Sequence, residues 1–123
     1  MSKVNKVLIV EDDTFISKMY ESKFSDEGFA VDIAGDGEEG LSKALVGEYD
    51  VIILDLVLPK LSGSELLQKL RQDEMGKNVD VIVLTNLNDS DEKTKMMNMS
   101  VRAFLDKSSL TPSQLVETVN NLS

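Results

Sequence analysis

Short apolar runs along this chain end abruptly in polar side chains. Leu8-Ile9-Val10 gives way to Glu11-Asp12-Asp13, Val51-Ile52-Ile53-Leu54 to Asp55, Val81-Ile82-Val83-Leu84 to Thr85, and Phe104-Leu105 almost directly to Lys107. Unbroken apolar runs of this length read as strands buried on both faces. They predict strands over 6–10, 50–54 and 79–84, with a short fifth over 101–105. Residues 29–34 alternate apolar and polar, the pattern of a half-buried or edge strand. Between the strands the period lengthens to that of helices. A helix over 14–25 has Phe15, Met19 and Phe24 among its apolar positions and Gly28 beyond its end. The Gly35-Asp36-Gly37 turn leads to a helix over 38–46, capped by Gly47. A loop over 59–63 precedes a helix over 64–73, and further helices follow over 89–99 and 111–122, the last with Pro112 in its first turn.

Strand and helix therefore alternate as five βα units. That order implies an α/β fold in which one parallel sheet is covered by helices on both faces, a doubly wound (βα)5 arrangement in three layers with right-handed crossovers. At 123 residues the expectation is one domain over 1–123, long enough to bury a core. No segment reads as a linker, low-complexity tract or short-period repeat. The last helix ends with the sequence, which fits a lone domain and a segment of a longer chain equally.

Charge and composition narrow the chemistry. A net charge of −9 argues against direct binding to nucleic acid, whose phosphates need Lys and Arg. The sequence has neither Cys nor His, which excludes disulfides, thiolate chemistry and Cys/His zinc sites. Any histidine in the mechanism must come from another protein. No apolar run is long enough to span a membrane and no leader pattern is present, so membrane insertion is not expected and the cytoplasm is the expected location.

In a parallel sheet the carboxyl ends of all strands share one edge, where sites form. Glu11, Asp12, Asp55, Thr85 and Lys107 would converge there. Two carboxylates about 4 Å apart repel by about 4 kcal/mol at an effective dielectric near 20, so protonation, Lys107 or a cation must offset the repulsion. Hard oxygen ligands suit Mg²⁺ or Mn²⁺. Asp12 and Asp55 fit as direct ligands, Glu11 as a ligand through water, and the Val57 carbonyl as a further oxygen. A carboxylate can attack phosphorus to give an acyl phosphate, the cation, Lys107 and Thr85 each taking one phosphoryl oxygen. Asp55 is the nucleophile expected, since it follows the most buried-looking strand. Taken singly, an acid after a strand is more often a helix cap, which is how Asp13 reads, and a lone Thr or Lys is more often a loop hydroxyl or a solvated amine. Their shared position at successive strand ends is what points to a site.

These residues resemble the receiver domain of response regulators, the phosphoacceptor half of two-component signalling, over essentially the whole length. Val-Leu-Ile-Val-Glu-Asp-Asp at 7–13 resembles the family's first strand and acidic pair; Ile-Ile-Leu-Asp-Leu-Val-Leu-Pro at 52–59, with Gly63, resembles its phosphorylation motif; Val-Leu-Thr at 83–85 and Ala-Phe-Leu-Asp-Lys at 103–107 resemble its Thr and Lys motifs. The resemblance implies a flavodoxin-like fold with strand order 2-1-3-4-5. It implies Asp55 as phosphorylation site, Glu11 and Asp12 as the acidic pair, and Thr85 and Phe104 as switch residues. It also implies a histidine kinase or phosphotransfer protein as donor. The surface of the fourth helix, fifth strand and fifth helix would then control an unidentified output protein. Such a domain is not an enzyme toward others; it catalyses only its own phosphorylation and dephosphorylation. Monomer and homodimer both remain open.

Departures from the family pattern are local. Ser108 stands where a cis proline is common, leaving the Lys107–Ser108 peptide open between trans and a cis form costing about 3 kcal/mol. Asn86 replaces a small residue beside Thr85, and Ser100-Val101 replaces Gly-Ala after the fourth helix. Met96, Met97 and Met99 read as core filling for at least one of them or as an adaptable contact surface. A phosphatase of the haloacid dehalogenase type would place an acid two residues after the nucleophile, where this chain has Val57. An FMN-binding flavodoxin would need a Ser, Thr and Gly loop after the first strand, where three acids would repel the phosphate, and no G-x-G-x-x-G motif follows that strand. A receiver-like module that is never phosphorylated is the remaining alternative.

Overall fold

The computed structural model describes residues 5–86 and 90–122. Its elements run β1 (Lys6–Val10), α1 (Thr14–Asp26), β2 (Ala30–Ala34), α2 (Gly37–Val46), β3 (Val51–Asp55), α3 (Gly63–Arg71), β4 (Asp80–Thr85), α4 (Ser90–Met96), β5 (Ala103–Asp106), a 3₁₀ turn (Lys107–Ser109) and α5 (Pro112–Asn120). All strand pairs are parallel and the order is β2-β1-β3-β4-β5. This is the doubly wound, flavodoxin-like (βα)5 fold expected. Among the described residues no helix is long and apolar enough to cross a membrane.

Alternation along the central strands divides the core in two. Leu8, Val10, Ile52, Leu54, Val81 and Val83 face Leu66, Leu67 and Leu70 of α3 and Met96 of α4. Val7, Ile9, Val51, Ile53, Ile82 and Leu84 face Tyr20 and Phe24 of α1 and Leu115, Val116 and Val119 of α5. Because β3 is buried along its whole length, its last residue, Asp55, is carried into a water-poor position.

The helix starts follow their caps. Asp13 Oδ1 accepts from the Ile16 N–H at 3.1 Å, Asp36 Oδ1 from Glu39 at 2.8 Å, and Ser62 with Glu65 and Thr111 with Gln114 form capping boxes. Asp13 is thus a cap, as its position suggested. The first-helix face needs correction. Ser17, Tyr20 and Phe24 lie inward at helical spacing, whereas Phe15 is 77% exposed and Met19 also faces solvent.

Gly47 ends α2 without adopting a left-handed conformation; its φ is −90°, and Glu48 takes the positive φ of 52° instead. The glycine leaves room, since a Cβ there would collide with the Tyr49 ring and lie 2.8 Å from the Lys43 carbonyl oxygen. The predicted start of the fourth helix at Asp89 lies outside the described residues. That helix ends at Met96, before the expected Met99, and Ser100 supplies the left-handed residue at φ 60° without a glycine. This turn consumes Val101, so β5 starts at Ala103 and reaches Asp106. Among the three methionines Met96 is core, Met99 packs partly against the same core, and Met97 is 63% exposed. No peptide among the described residues is cis, so Lys107–Ser108 is trans.

Gly63 opens α3 directly beneath the end of β3. A Cβ added there would lie 2.7 Å from the Asp55 carbonyl oxygen and 2.9 Å from that of Leu56, both main-chain atoms. Gly63→Ala is expected to cost about 1–3 kcal/mol in urea unfolding by forcing the helix away from the strand end. Unchanged stability would show that the two elements can separate freely.

Candidate functional site

Strand parity builds the site. Val7, Ile9 and Glu11 point to the α1/α5 face, as do Ile53 and Asp55 on β3 and Leu105 on β5, and Lys107, in the 3₁₀ turn just after β5, reaches the same carboxylates. The ladder continues one residue beyond β1, where the Glu11 N–H donates to the Ala34 carbonyl at 3.0 Å, holding Glu11 in register. Three side chains, one ending β3 and the others one residue beyond β1 and β5, therefore meet at the carboxyl edge of the sheet.

The Lys107 Nζ lies 2.6 Å from Glu11 Oε1 and donates to Asp55 Oδ2 at 2.8 Å. Glu11 is 1% exposed and Asp55 5%, so the ion pairs are shielded from water. Glu11 Oε2 accepts from the Asp13 N–H at 3.1 Å. Glu11 Oε1 is buried without a well-aligned hydrogen bond, its contact with Lys107 being one of charge and distance. Asp12, in the same loop, is exposed, and carboxylate oxygens of Glu11, Asp12 and Asp55 all lie within 4.8 Å of one another. Three clustered carboxylates facing a single ammonium fit a hard divalent cation such as Mg²⁺.

Burial pushes the Glu11 carboxyl up to about 7; the Lys107 contact and the Asp13 N–H oppose the rise, and the Asp55 charge adds to it. For Lys107 burial alone would lower the pKa, but its hydrogen bonds and attraction to Asp55 and Glu11 together hold it above the ordinary lysine value. Tyr20 lies beneath the cluster on α1; burial raises its phenol pKa, with smaller influences from Lys107, Glu11 and Asp55.

Thr85 ends β4 one residue beyond the register partner of Asp55 and lies opposite Asp106. Its parity is that of Val83, so it belongs to the opposite face from Glu11, Asp55 and Lys107. Phe104 shares that face, opposite Val83, and packs against the core under α3 and α4, with the Lys93 Nζ 5.3 Å above its ring. Val57 and Asn86 are exposed in the loops after β3 and β4. Sequence reasoning passed over Tyr20, Lys93 and Asp106. Spacing from Ser17 to Phe24 could have placed Tyr20 inward, but nothing local in the sequence brings Lys93 over Phe104.

The profile of the response regulator receiver domain matches residues 7–120. The chain belongs to that family. It is 36% identical over 116 residues to the probable transcriptional regulator ycf29 of Porphyra purpurea, covering 94% of this chain and 55% of the relative. It is 34% identical over 104 residues to the response regulator ArlR of Staphylococcus aureus, covering 85% and 46%. The chain thus spans about half the length of the curated relatives it matches. Among solved structures, the chemotaxis response regulator CheY4 of Vibrio cholerae superposes with a TM-score of 0.88 at 29% identity, covering 98% of this chain and 99% of that one. A CheY-like receiver domain protein from Methanospirillum hungatei gives 0.88 at 27%, covering 97% and 93%.

The receiver's buried glutamate should leave a thermodynamic signature. With a folded-state pKa near 7 against an ordinary 4.5, folded Glu11 holds a proton that the unfolded chain has lost. Its contribution to stability is complete below about pH 4.5 and is lost as pH rises toward 7. In metal-free buffer, Glu11→Gln should flatten the fall in unfolding free energy between pH 5 and pH 7 by an amount approaching about one proton. Parallel wild-type and variant curves from urea melts would contradict it.

Proposed function

We propose that this receiver accepts a phosphoryl group on Asp55 from a phosphohistidine of a partner kinase or phosphotransfer protein, with Mg²⁺ or Mn²⁺, and that its α4-β5-α5 surface then controls an output protein. The observation that carries the reading is the Lys107 ammonium held between buried Glu11 and Asp55, with Asp12 in the same carboxylate cluster. These 123 residues hold no histidine, so a phosphohistidine donor would lie outside them.

Asp12, Asp55 and the Val57 carbonyl would hold the cation, with Glu11 reaching it through water. When bound, the cation neutralises charge on the phosphoryl oxygens. An Asp55 oxygen attacks phosphorus while the P–N bond to the donor imidazole breaks, its electron pair remaining on nitrogen. Lys107 turns from Asp55 Oδ2 to a phosphoryl oxygen, one charge-assisted hydrogen bond replacing another. The Thr85 hydroxyl takes a third oxygen, and Phe104, on the same sheet face as Thr85, responds behind it. The reaction changes the receiver itself, so it is a switch and not an enzyme acting on other molecules.

Acetyl phosphate with Mg²⁺ should add one phosphoryl group, read by intact mass, and Asp55→Asn should abolish the addition. Normal labelling of that variant would remove Asp55 as acceptor. Lys107→Ala should weaken binding of the phosphoryl analogue beryllofluoride by about tenfold or more while Mg²⁺ affinity changes less. Amide NMR titrations separate the two; equal losses would count against the role of Lys107.

A further inference from the structure

The Lys107 ammonium must bridge two buried carboxylates from the first residue beyond the sheet. A lysine side chain is long and loses rotamer entropy when fixed, so its root needs firm placement. That root lies in a single 3₁₀ turn, Lys107–Ser109, a kind of helix with poor internal hydrogen bonding. The turn is fixed from outside. Asp106 Oδ1 accepts from both the Ser108 N–H at 3.0 Å and the Ser108 hydroxyl at 2.8 Å, tying the residue after Lys107 to the residue before it. Asp106 itself is anchored by β5, opposite Thr85 in register, with an extended backbone at φ −77° and ψ 111°. Strand parity sends the Asp106 side chain to one face and Lys107 to the other, so the clasp grips the turn without entering the carboxylate cluster. A proline at 108 could donate neither bond.

We infer that Asp106, through Ser108, is a positioning residue that fixes the backbone of Lys107 so that its ammonium meets the phosphoryl oxygen on Asp55. The inference deepens the proposed function and rests on it for the role of Lys107. The test compares Asp106→Ala, Asp106→Asn and Ser108→Ala with wild type, using beryllofluoride with Mg²⁺, Mg²⁺ alone, and the NMR signal of the Lys107 ammonium in metal-free protein. Asp106→Ala should weaken beryllofluoride binding about fivefold, the equivalent of one net hydrogen bond, and broaden the ammonium signal. Its Mg²⁺ affinity should stay unchanged. Asp106→Asn should restore both readouts because its amide oxygen accepts the same two bonds, and Ser108→Ala should fall between. Wild-type behaviour of Asp106→Ala overturns the inference, as does equal impairment of the Asn and Ala variants, which would assign the effect to charge. If wild type binds no beryllofluoride, the phosphoacceptor reading fails instead, and the ammonium signal still decides whether Asp106 holds Lys107.

Discussion

The structure depends on one buried ion cluster: an ammonium from the last strand held between carboxylates from the first and third. Glu11 and Asp55 are nearly inaccessible, and Asp12 adds a third carboxylate at the rim. Lys107 supplies one positive charge against these three acids. Without it, Glu11 and Asp55 would face one another with no counter-charge in a water-poor pocket, an arrangement that either expels a proton-free carboxylate or forces protonation. Burial, with a smaller push from the Asp55 charge, keeps the Glu11 pKa raised even with Lys107 in place. A chain selected for stability alone would fill this edge with apolar side chains. Retaining the acids leaves a carboxylate cluster that could hold a divalent cation.

Register makes the cluster possible. Parallel pairing places Ile53 beside Ile9 and Ile82, and Leu105 beside Leu84, so alternation alone determines which strand ends share a face. A slip of one residue in β5 would send Lys107 to the other side of the sheet and leave Asp55 without its ammonium. The same constraint explains Gly63. The first turn of α3 must pass so close to the Asp55 and Leu56 carbonyls that no side chain fits between them. The scaffold therefore holds the strand that ends in Asp55 from both the sheet and the following helix.

Much of this was legible in the sequence, for identifiable physical reasons. Unbroken apolar runs marked β1, β3 and β4, and the polar residue ending each run marked the functional edge. Asp13, with a helical pattern behind it, announced a cap. What failed to show were features settled by non-local packing. Phe15 and Met19 look like core residues by composition, yet the buried stripe passes through Ser17, Tyr20 and Phe24 because the α1 cap sets the phase of the helix. Gly47 caps α2 as expected, but a positive φ falls on the next residue, Glu48, while the glycine leaves room for the Tyr49 ring. The start of β5 moved because Ser100 completes the turn after α4 and Arg102 then joins β4 through Val81. No local pattern foretells which turn residue a later strand will need.

The proposed switch requires an element with two discrete arrangements that both the site and the output surface can bias. β5 has the right placement. It is an edge strand, paired only with β4, and all four of its residues are half-buried. Its alternation sends Lys107 to the carboxylate cluster and Phe104 to the opposite core, only three positions apart in sequence. A phosphoryl group on Asp55 would offer the Lys107 ammonium a new partner and draw on the Thr85 hydroxyl, which lies on the Phe104 side of the sheet. Both demands reach the same short strand from its two faces. The Lys93 ammonium over the Phe104 ring adds a contact from α4 worth about 0.5–1 kcal/mol at an exposed site, small enough for one new charge-assisted hydrogen bond to outweigh. Under the proposed function, coupling would need no long chain of intermediaries, because the proposed acceptor site and output surface meet on opposite faces of one edge strand.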